Sequence, residues 1–366
     1  MSRQIARDLL SLRPTPRVGH TEYSMEYHHG FARRAAGGDP EKCGPLSVAE
    51  KRAFYDAWDF DLLWGTQDGL IDWFKAGRAT DMGHAVYAAD GSDRKQPKRC
   101  PFEDPEEVLE FDPAREYGFP GFSEQVKAYQ ALHETRLIDY PNQLVSGGYY
   151  KTVISGAIQT FGWDLLLEAA AEEARFAALL ERYAHYSLFY AEAWAKTDIE
   201  VYIQHDDFVW TAGPFLHPDF YRRHIIPLYR RLWEPLRRAG KKVLFCSDGT
   251  WDMFIPDIAA CGADGFIFEP SNDFDRFARD WGKTHAIIGS KVDCRTLTFG
   301  AWEAVRGEID ATLAAARGLP GHFMAVGNHI PANVPDEMCQ RYMDYLRAHW
   351  ARETAAAKEG PLAMGR

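Results

Sequence analysis

The sequence has no apolar run that approaches the ~20 residues needed to span a bilayer. Its opening, MSRQIARDLLSLRPTPRVG, has no apolar core long enough for a signal peptide, and Pro14 and Pro16 interrupt it early. Together these absences predict a cytoplasmic protein with no membrane partner. There is also no CxxC pair. The six cysteines (Cys43, Cys100, Cys246, Cys261, Cys294 and Cys339) are scattered, which predicts reduced thiols, one or two of them free to do chemistry. Basic charge is in deficit: Lys+Arg number 42 against 53 Asp+Glu, a formal net charge of −11. Such a chain offers no electrostatic footprint for nucleic acid and is repelled by anionic lipid. No GxGxxG turn follows an early strand, which argues against a dinucleotide-binding half. No internal repeat or low-complexity tract stands out.

What is present is apolar material for one large core: 366 residues, 46% hydrophobic and 14% aromatic. From Glu172 onward the pattern alternates strictly. A long helical stretch, Glu172 to Lys196, precedes the apolar run Ile199–Ile203. Further short apolar runs follow at Val243–Phe245, Phe266–Phe268, Ala286–Ile288 and Phe323–Val326, separated by amphipathic stretches with Asp/Pro starts and Gly stops. Continuously apolar strands of this kind belong to parallel sheets buried on both faces. Val18–Tyr23, Phe60–Trp64 and Thr152–Ile158 bring the count to eight and predict an α/β fold, a (β/α)8 TIM barrel. Residues 1–350 are read as one domain. Within it, residues 24–150 form a long irregular insertion, a lid or a dimer contact, and 351–366 a frayed tail.

Barrel enzymes place their chemistry at the carboxyl ends of the strands. The polar residues expected there are Glu22, His205-Asp206-Asp207, Cys246 with Asp248, Glu269, Lys291 with Asp293, and Asn328-His329. In an extended strand end, positions i and i+2 point the same way, so the Cys246 thiol and the Asp248 carboxylate converge. With His329 from a later strand they make a three-ligand zinc site with an open fourth position. The alternative is that Cys246 is a small buried hydrophobe, Asp248 a helix cap and His329 a hydrogen-bonded loop residue. His205, Asp206 and Asp207 are three adjacent titratable groups, as general acid–base work requires, or else a network that holds the next loop. Glu22 is a substrate contact or half of a buried ion pair. Tyr23, Tyr27, His28 and His29 are candidates to line the same mouth, and His84, Glu269 and Asn328 are candidate substrate contacts.

These landmarks carry a resemblance. From about Thr152 to Trp350 the chain resembles the uroporphyrinogen decarboxylase superfamily, especially its corrinoid-linked methyltransferase branch. The matching features are Asp206-Asp207 after a strand, Pro218-Asp219-Phe220-Tyr221 opening a helix, Lys242–Gly249, and Ile255-Pro256-Asp257. They continue with Gly289–Asp293, Thr298-Phe299-Gly300, Gly327-Asn328-His329-Ile330-Pro331 and Asn333-Val334-Pro335. The resemblance implies a barrel and a zinc site built in that branch from His-x-Cys and a later Cys. The matching positions here are Cys246, Asp248 and His329, none of them the branch's usual residue. It also implies a cobalamin carried by a separate corrinoid protein, because no corrinoid-binding domain is visible in the chain. Barrels of this kind are often dimers, so a homodimer is one expectation. The arginine-rich N-terminal segment by which true uroporphyrinogen decarboxylase holds porphyrinogen carboxylates has no counterpart beyond Arg33-Arg34.

The leading expectation is therefore methyl transfer between a small methylated compound and the cobalt of a partner protein, with a metal as Lewis acid and His205, Asp206 or Asp207 managing the proton. The alternative is a cofactor-free decarboxylase in which Asp206 or Asp207 stabilises a developing cation. A scaffold without catalysis is the third reading, opposed by the density of titratable groups at the strand ends.

Overall fold

Strands that are apolar on both faces need cover on both sides, and each strand of this chain is followed by at least one helix. The computed structural model describes residues 1–73, 100–327, 330 and 333–352. Among them the strands are β1 (Gly19–His20), β2 (Leu62–Leu63), β3 (Leu144–Val145 and Gly147–Tyr149, broken at Ser146) and β4 (Val201–His205). They continue with β5 (Lys242–Ser247), β6 (Gly265–Phe268), β7 (Ala286–Ile288) and β8 (His322–Met324). The main helices are α1 (Ser2–Leu10), α2 (Val48–Ala57), α3 (Phe122–Asp139), α4 (Val153–Phe161) and α5 (Glu173–Ala195). After β4 come α6 (Ile226–Arg238), α7 (Ile255–Cys261), α8 (Phe274–Asp280), α9 (Trp302–Ala315) and α10 (Asp336–His349).

All strand pairings are parallel. The second piece of β3 pairs with β4, and pairing runs on through β5, β6, β7 and β8 to β1, where Gly19 lies opposite Phe323. The first piece of β3 pairs with β2. The remaining seam, β1 to β2, is carried by the Asp61 N–H on the His20 carbonyl at 2.9 Å and the Thr21 hydroxyl on the Leu62 carbonyl at 2.6 Å. The sheet thereby closes into the expected (β/α)8 barrel. A buried ion pair reinforces the seam: the Arg17 guanidinium grips the Asp61 carboxylate at 2.6 and 2.8 Å, and Asp61 also accepts the His20 N–H.

The barrel is filled from below. Ile5, Ala6, Leu9 and Leu10 of α1 share one apolar cluster with Leu62, Leu144, Val201, Leu244 and Phe323, so α1 stoppers the end where the strands begin. Gly19 permits this, because a Cβ there would lie 2.4 Å from Leu9 Cδ1 and 2.6 Å from Phe323 Cδ1.

The structure corrects the third strand. Thr152–Ile158 is not a strand: Val153 to Phe161 form α4, buried throughout. All nine of its residues are buried, and a segment this short with Val153-Ile154 and Ala157-Ile158 is one that sequence pattern does not divide between buried strand and buried helix. The true third strand hides in Leu144–Tyr149 behind Ser146-Gly147-Gly148. Those glycines are packing requirements, since a Cβ at Gly147 would lie 2.7 Å from Trp194 of α5 and one at Gly148 2.8 Å from the Ile203 carbonyl. The described part of residues 24–150 thus supplies β2, β3, α2 and α3 rather than an insertion alone. The loop Arg78–His84 and the tail from 353 lie outside the described residues. Among the described residues no helix is long and apolar enough to cross a membrane.

If α1 is the stopper, Leu9→Ala leaves a cavity inside the barrel floor and is expected to cost about 3 kcal/mol in urea unfolding. A loss under about 0.5 kcal/mol would mean that the floor closes without it.

Candidate functional site

The site begins with the way β4 ends. Its last residue, His205, is followed by Asp206 and Asp207 in extended backbone, so His205 and Asp207 share one face and Asp206 takes the other. On the Asp206 side the strand is stitched to the start of α4. The Thr152 hydroxyl donates to the His205 carbonyl at 2.8 Å. The Asp206 carboxylate accepts the N–H groups of Ile154 at 3.0 Å and Ser155 at 2.6 Å, which are donors that a helix start leaves without partners. The Ser155 hydroxyl in turn accepts the Asp207 N–H at 2.7 Å, and the Tyr229 hydroxyl of α6 donates to Asp206 at 2.8 Å. Asp206 is fully buried. Burial pushes its carboxyl up to about 6, against the Ser155, Tyr229 and Ile154 hydrogen bonds that favour the anion.

On the other side, Asp207 gathers three elements. Its Oδ1 meets His205 Nε2 at 3.1 Å and accepts the Asp248 N–H at 3.0 Å, while its Oδ2 accepts the Tyr150 hydroxyl at 2.6 Å. Burial would raise this carboxyl, but the His205 charge and hydrogen bond, with the Tyr150 and Asp248 donors, outweigh it and hold Asp207 at about 2. The Tyr150 ring lies 4.4 Å from the His205 ring, and Trp64 meets the same imidazole edge-on at 6.3 Å. Tyr23 stacks on Trp64 at 4.6 Å. Glu269, just past β6, accepts the Gly249 N–H at 2.6 Å and so ties the loop that carries Asp248. Gly249 is required there: its φ is +76° and a Cβ would lie 2.3 Å from the Trp210 carbonyl.

The expected residues fall out as follows. His205, Asp207, Asp248 and Tyr23 come together at the mouth, with Glu269 fastening its rim. Asp206 faces away from His205 and Asp207, with its carboxylate engaged by α4 and α6. Glu22, expected as a substrate contact or as half of a buried ion pair, has its carboxylate engaged within the barrel frame. Its carboxylate accepts the Val326 N–H at 2.8 Å and the Tyr342 hydroxyl at 2.7 Å and lies 3.3 Å from His20 Nε2, so it binds β1 to β8 and α10. Cys246 is buried in the barrel interior among Leu244, Ile267 and Ile288. Burial drives its thiol well above the ordinary range, with Asp248, Asp207 and Glu269 adding to the effect. His84, Asn328 and His329 lie outside the described residues. Tyr150 and Trp64 were missed by sequence reasoning. The signal for Trp64 was its place at the end of an expected strand, and Tyr150 was hidden by the misplaced third strand.

Among the described residues, His205, Asp207 and Asp248 form the group able to hold a metal ion, their ligand atoms all within 4.8 Å of one another. The group shares Asp248 with the expected triad and does not include Cys246; His329 lies outside the described residues. One imidazole and two carboxylates suit a divalent cation, zinc included, without thiolate. The 3.1 Å contact between His205 Nε2 and Asp207 Oδ1 is where a cation would exchange for a proton.

Residues 154–349, more than half of the chain, match the sequence profile of Uroporphyrinogen decarboxylase (URO-D). No curated protein matches the sequence. Among solved structures, a methyltransferase from Methanosarcina mazei superposes with a TM-score of 0.62 at 14% identity, covering 95% of this chain and 98% of that one. A Listeria monocytogenes protein named as a candidate vitamin-B12-independent methionine synthase gives a TM-score of 0.44 at 11% identity, covering 93% and 99%. At such identities the first likeness speaks for the barrel and not for its chemistry.

The clamp predicts a pH dependence. With a folded value of about 6 against about 4 unfolded, ionising Asp206 costs the folded state stability as pH rises through that window. Asp206→Asn removes the titration and keeps an oxygen for the α4 N–H groups, while its amide N–H faces the Tyr229 hydroxyl, which must turn to accept. Its stability relative to wild type is expected to rise by on the order of 2–3 kcal/mol between about pH 4 and pH 7, read by urea unfolding at each pH. A difference that stays flat with pH would show Asp206 to be ionised throughout.

Proposed function

The chain belongs to the uroporphyrinogen decarboxylase family, and on that premise we propose that it is a methyltransferase, moving a methyl group between a small methylated compound and the corrinoid of a separate protein. The observation that carries this reading is the convergence of His205, Asp207 and Asp248 at the barrel mouth. A His–Asp proton pair is complete with two members, and a third carboxylate within reach is what a cation needs.

The Arg33-Arg34 pair lends the decarboxylase reading no support: Arg33 is buried against Glu50 and the carbonyls of Lys42, Gly44 and Pro45, and Arg34 pairs with Asp336. The name of the Methanosarcina mazei neighbour points in the same direction.

In this reading His205, Asp207 and Asp248 would hold a divalent cation, zinc being the one that the resemblance to the corrinoid-linked methyltransferase branch implies. When bound, the ion supplies Lewis acidity to the methyl-bearing heteroatom. His205 would face the ion through Nε2, the atom that lies 3.1 Å from Asp207 Oδ1. The Tyr23–Trp64 stack supplies an apolar wall beside the imidazole. Asp206 and Ser155 fix the backbone from which both ligands project.

Two measurements test this. Protein mixed with methylated amines, thiols or phenol ethers should alkylate cob(I)alamin, followed by its absorbance, and Asp248→Asn should slow it by roughly 100-fold or more. Release of carbon dioxide from carboxylated substrates, with no alkylation from any donor, would instead select the decarboxylase. In metal titrations, His205→Ala and Asp248→Asn should lose affinity while Cys246→Ala keeps it. Loss in Cys246→Ala alone would return the site to the thiolate set.

A further inference from the structure

Asp207 has two carboxylate oxygens, and the structure uses them differently. Oδ1 faces His205 Nε2, one of the other donors of the cation group, and accepts the backbone N–H of Asp248, the residue that carries the third. Oδ2 is turned to Tyr150, whose hydroxyl donates to it at 2.6 Å. The same tyrosine packs its ring at 4.4 Å against the imidazole of His205. One side chain from β3's end therefore touches two of the three donors, one by a hydrogen bond and one by ring contact.

The local sequence explains why this residue is available. Tyr149 and Tyr150 follow one another at the end of β3 and point to opposite sides. Tyr149 turns outward and stacks on Tyr190 of α5 at 4.5 Å, its hydroxyl buried with no hydrogen-bond partner among the described residues. Tyr150 turns to the mouth. Since β3 is hydrogen-bonded to β4, Tyr150 reaches the strand end that carries His205 and Asp207.

We propose that Tyr150 is a positioning residue for a divalent cation, holding Asp207 so that it offers Oδ1 alone and holding the His205 ring in the orientation that presents Nε2. The inference rests on the cation reading of the site. A carboxylate free to rotate can swing either oxygen, or both, towards an ion, and a partner on one oxygen removes that choice. Outer partners of this kind are worth roughly 10–100-fold in metal affinity.

The test is a titration of the metal-free protein with Co²⁺, reading affinity and the visible ligand-field bands. Wild type is compared with Tyr150→Phe, which keeps the ring and removes the hydroxyl, and with Tyr149→Phe, which removes the neighbouring hydroxyl on the outward side. The expected result is a roughly 10-fold or greater loss of affinity and altered bands in Tyr150→Phe, with Tyr149→Phe like wild type. Equal affinity and unchanged bands in wild type and Tyr150→Phe would overturn the role of Tyr150 while leaving the cation site intact. Equal losses in both variants would also overturn it, since a general loosening of β3 would then explain them. No binding by wild type would overturn the cation reading itself and this inference with it.

Discussion

At the end of β4 a buried carboxylate meets the start of a helix. Asp206 accepts the Ile154 and Ser155 N–H groups and the Tyr229 hydroxyl, and Ser155 returns a hydrogen bond to the Asp207 backbone. A helix start is an electropositive cluster of unpaired donors, so an anion is its natural partner. Here the anion comes from the neighbouring strand instead of from a residue just before the helix. The same contact therefore caps α4, fastens it to the barrel and fixes the backbone from which His205 and Asp207 project to the other side. Lose it, and the geometry of the mouth loses its base.

The closure of the barrel follows a related logic. The β1–β2 seam has little backbone hydrogen bonding, and buried polar groups bridge it. Arg17 pairs with Asp61, Asp61 takes the His20 N–H, and Glu22 joins β1 to β8 and α10 through Val326 and Tyr342. Buried charges are tolerated only when fully partnered, and here each has two or more partners. Glu22 and Asp206 thus belong to the frame, whereas Asp207, one residue from Asp206, belongs to the mouth.

Much of this was legible in the sequence. From β4 onward each strand and helix is visible because apolar strands alternate with helices that have distinct faces and Asp, Pro or Gly at their ends. The strand-end residues Asp207, Asp248 and Glu269 follow directly from that reading. The third unit was not legible, because α4 is buried all round and β3 carries two glycines that only its neighbours' side chains explain. With β3 misplaced, Tyr150 could not be assigned to the site. The split between Asp206 and Asp207 was half legible. Strand alternation says that they face opposite ways, but only the position of α4 says which way leads to the mouth.

The charge at that mouth narrows what can bind there. Carboxylate oxygens of Asp207 and Asp248 lie within 4.8 Å of each other, which at an effective dielectric of 20 is a repulsion of about 3 kcal/mol. His205, Tyr150 and the Asp248 N–H relieve the Asp207 share of it by hydrogen bonding. Glu269, anchored at Gly249, adds a third negative group to the same rim. A carboxylated substrate would add to this field, and Arg33 and Arg34 are already held by Glu50, by Asp336 and by backbone carbonyls. A divalent cation would reverse it, turning mutual repulsion into shared attraction and leaving a Lewis acid at the strand ends. Among the described residues the electrostatics of the mouth thus favour a cation over a polyanion, independently of how the fold is classified.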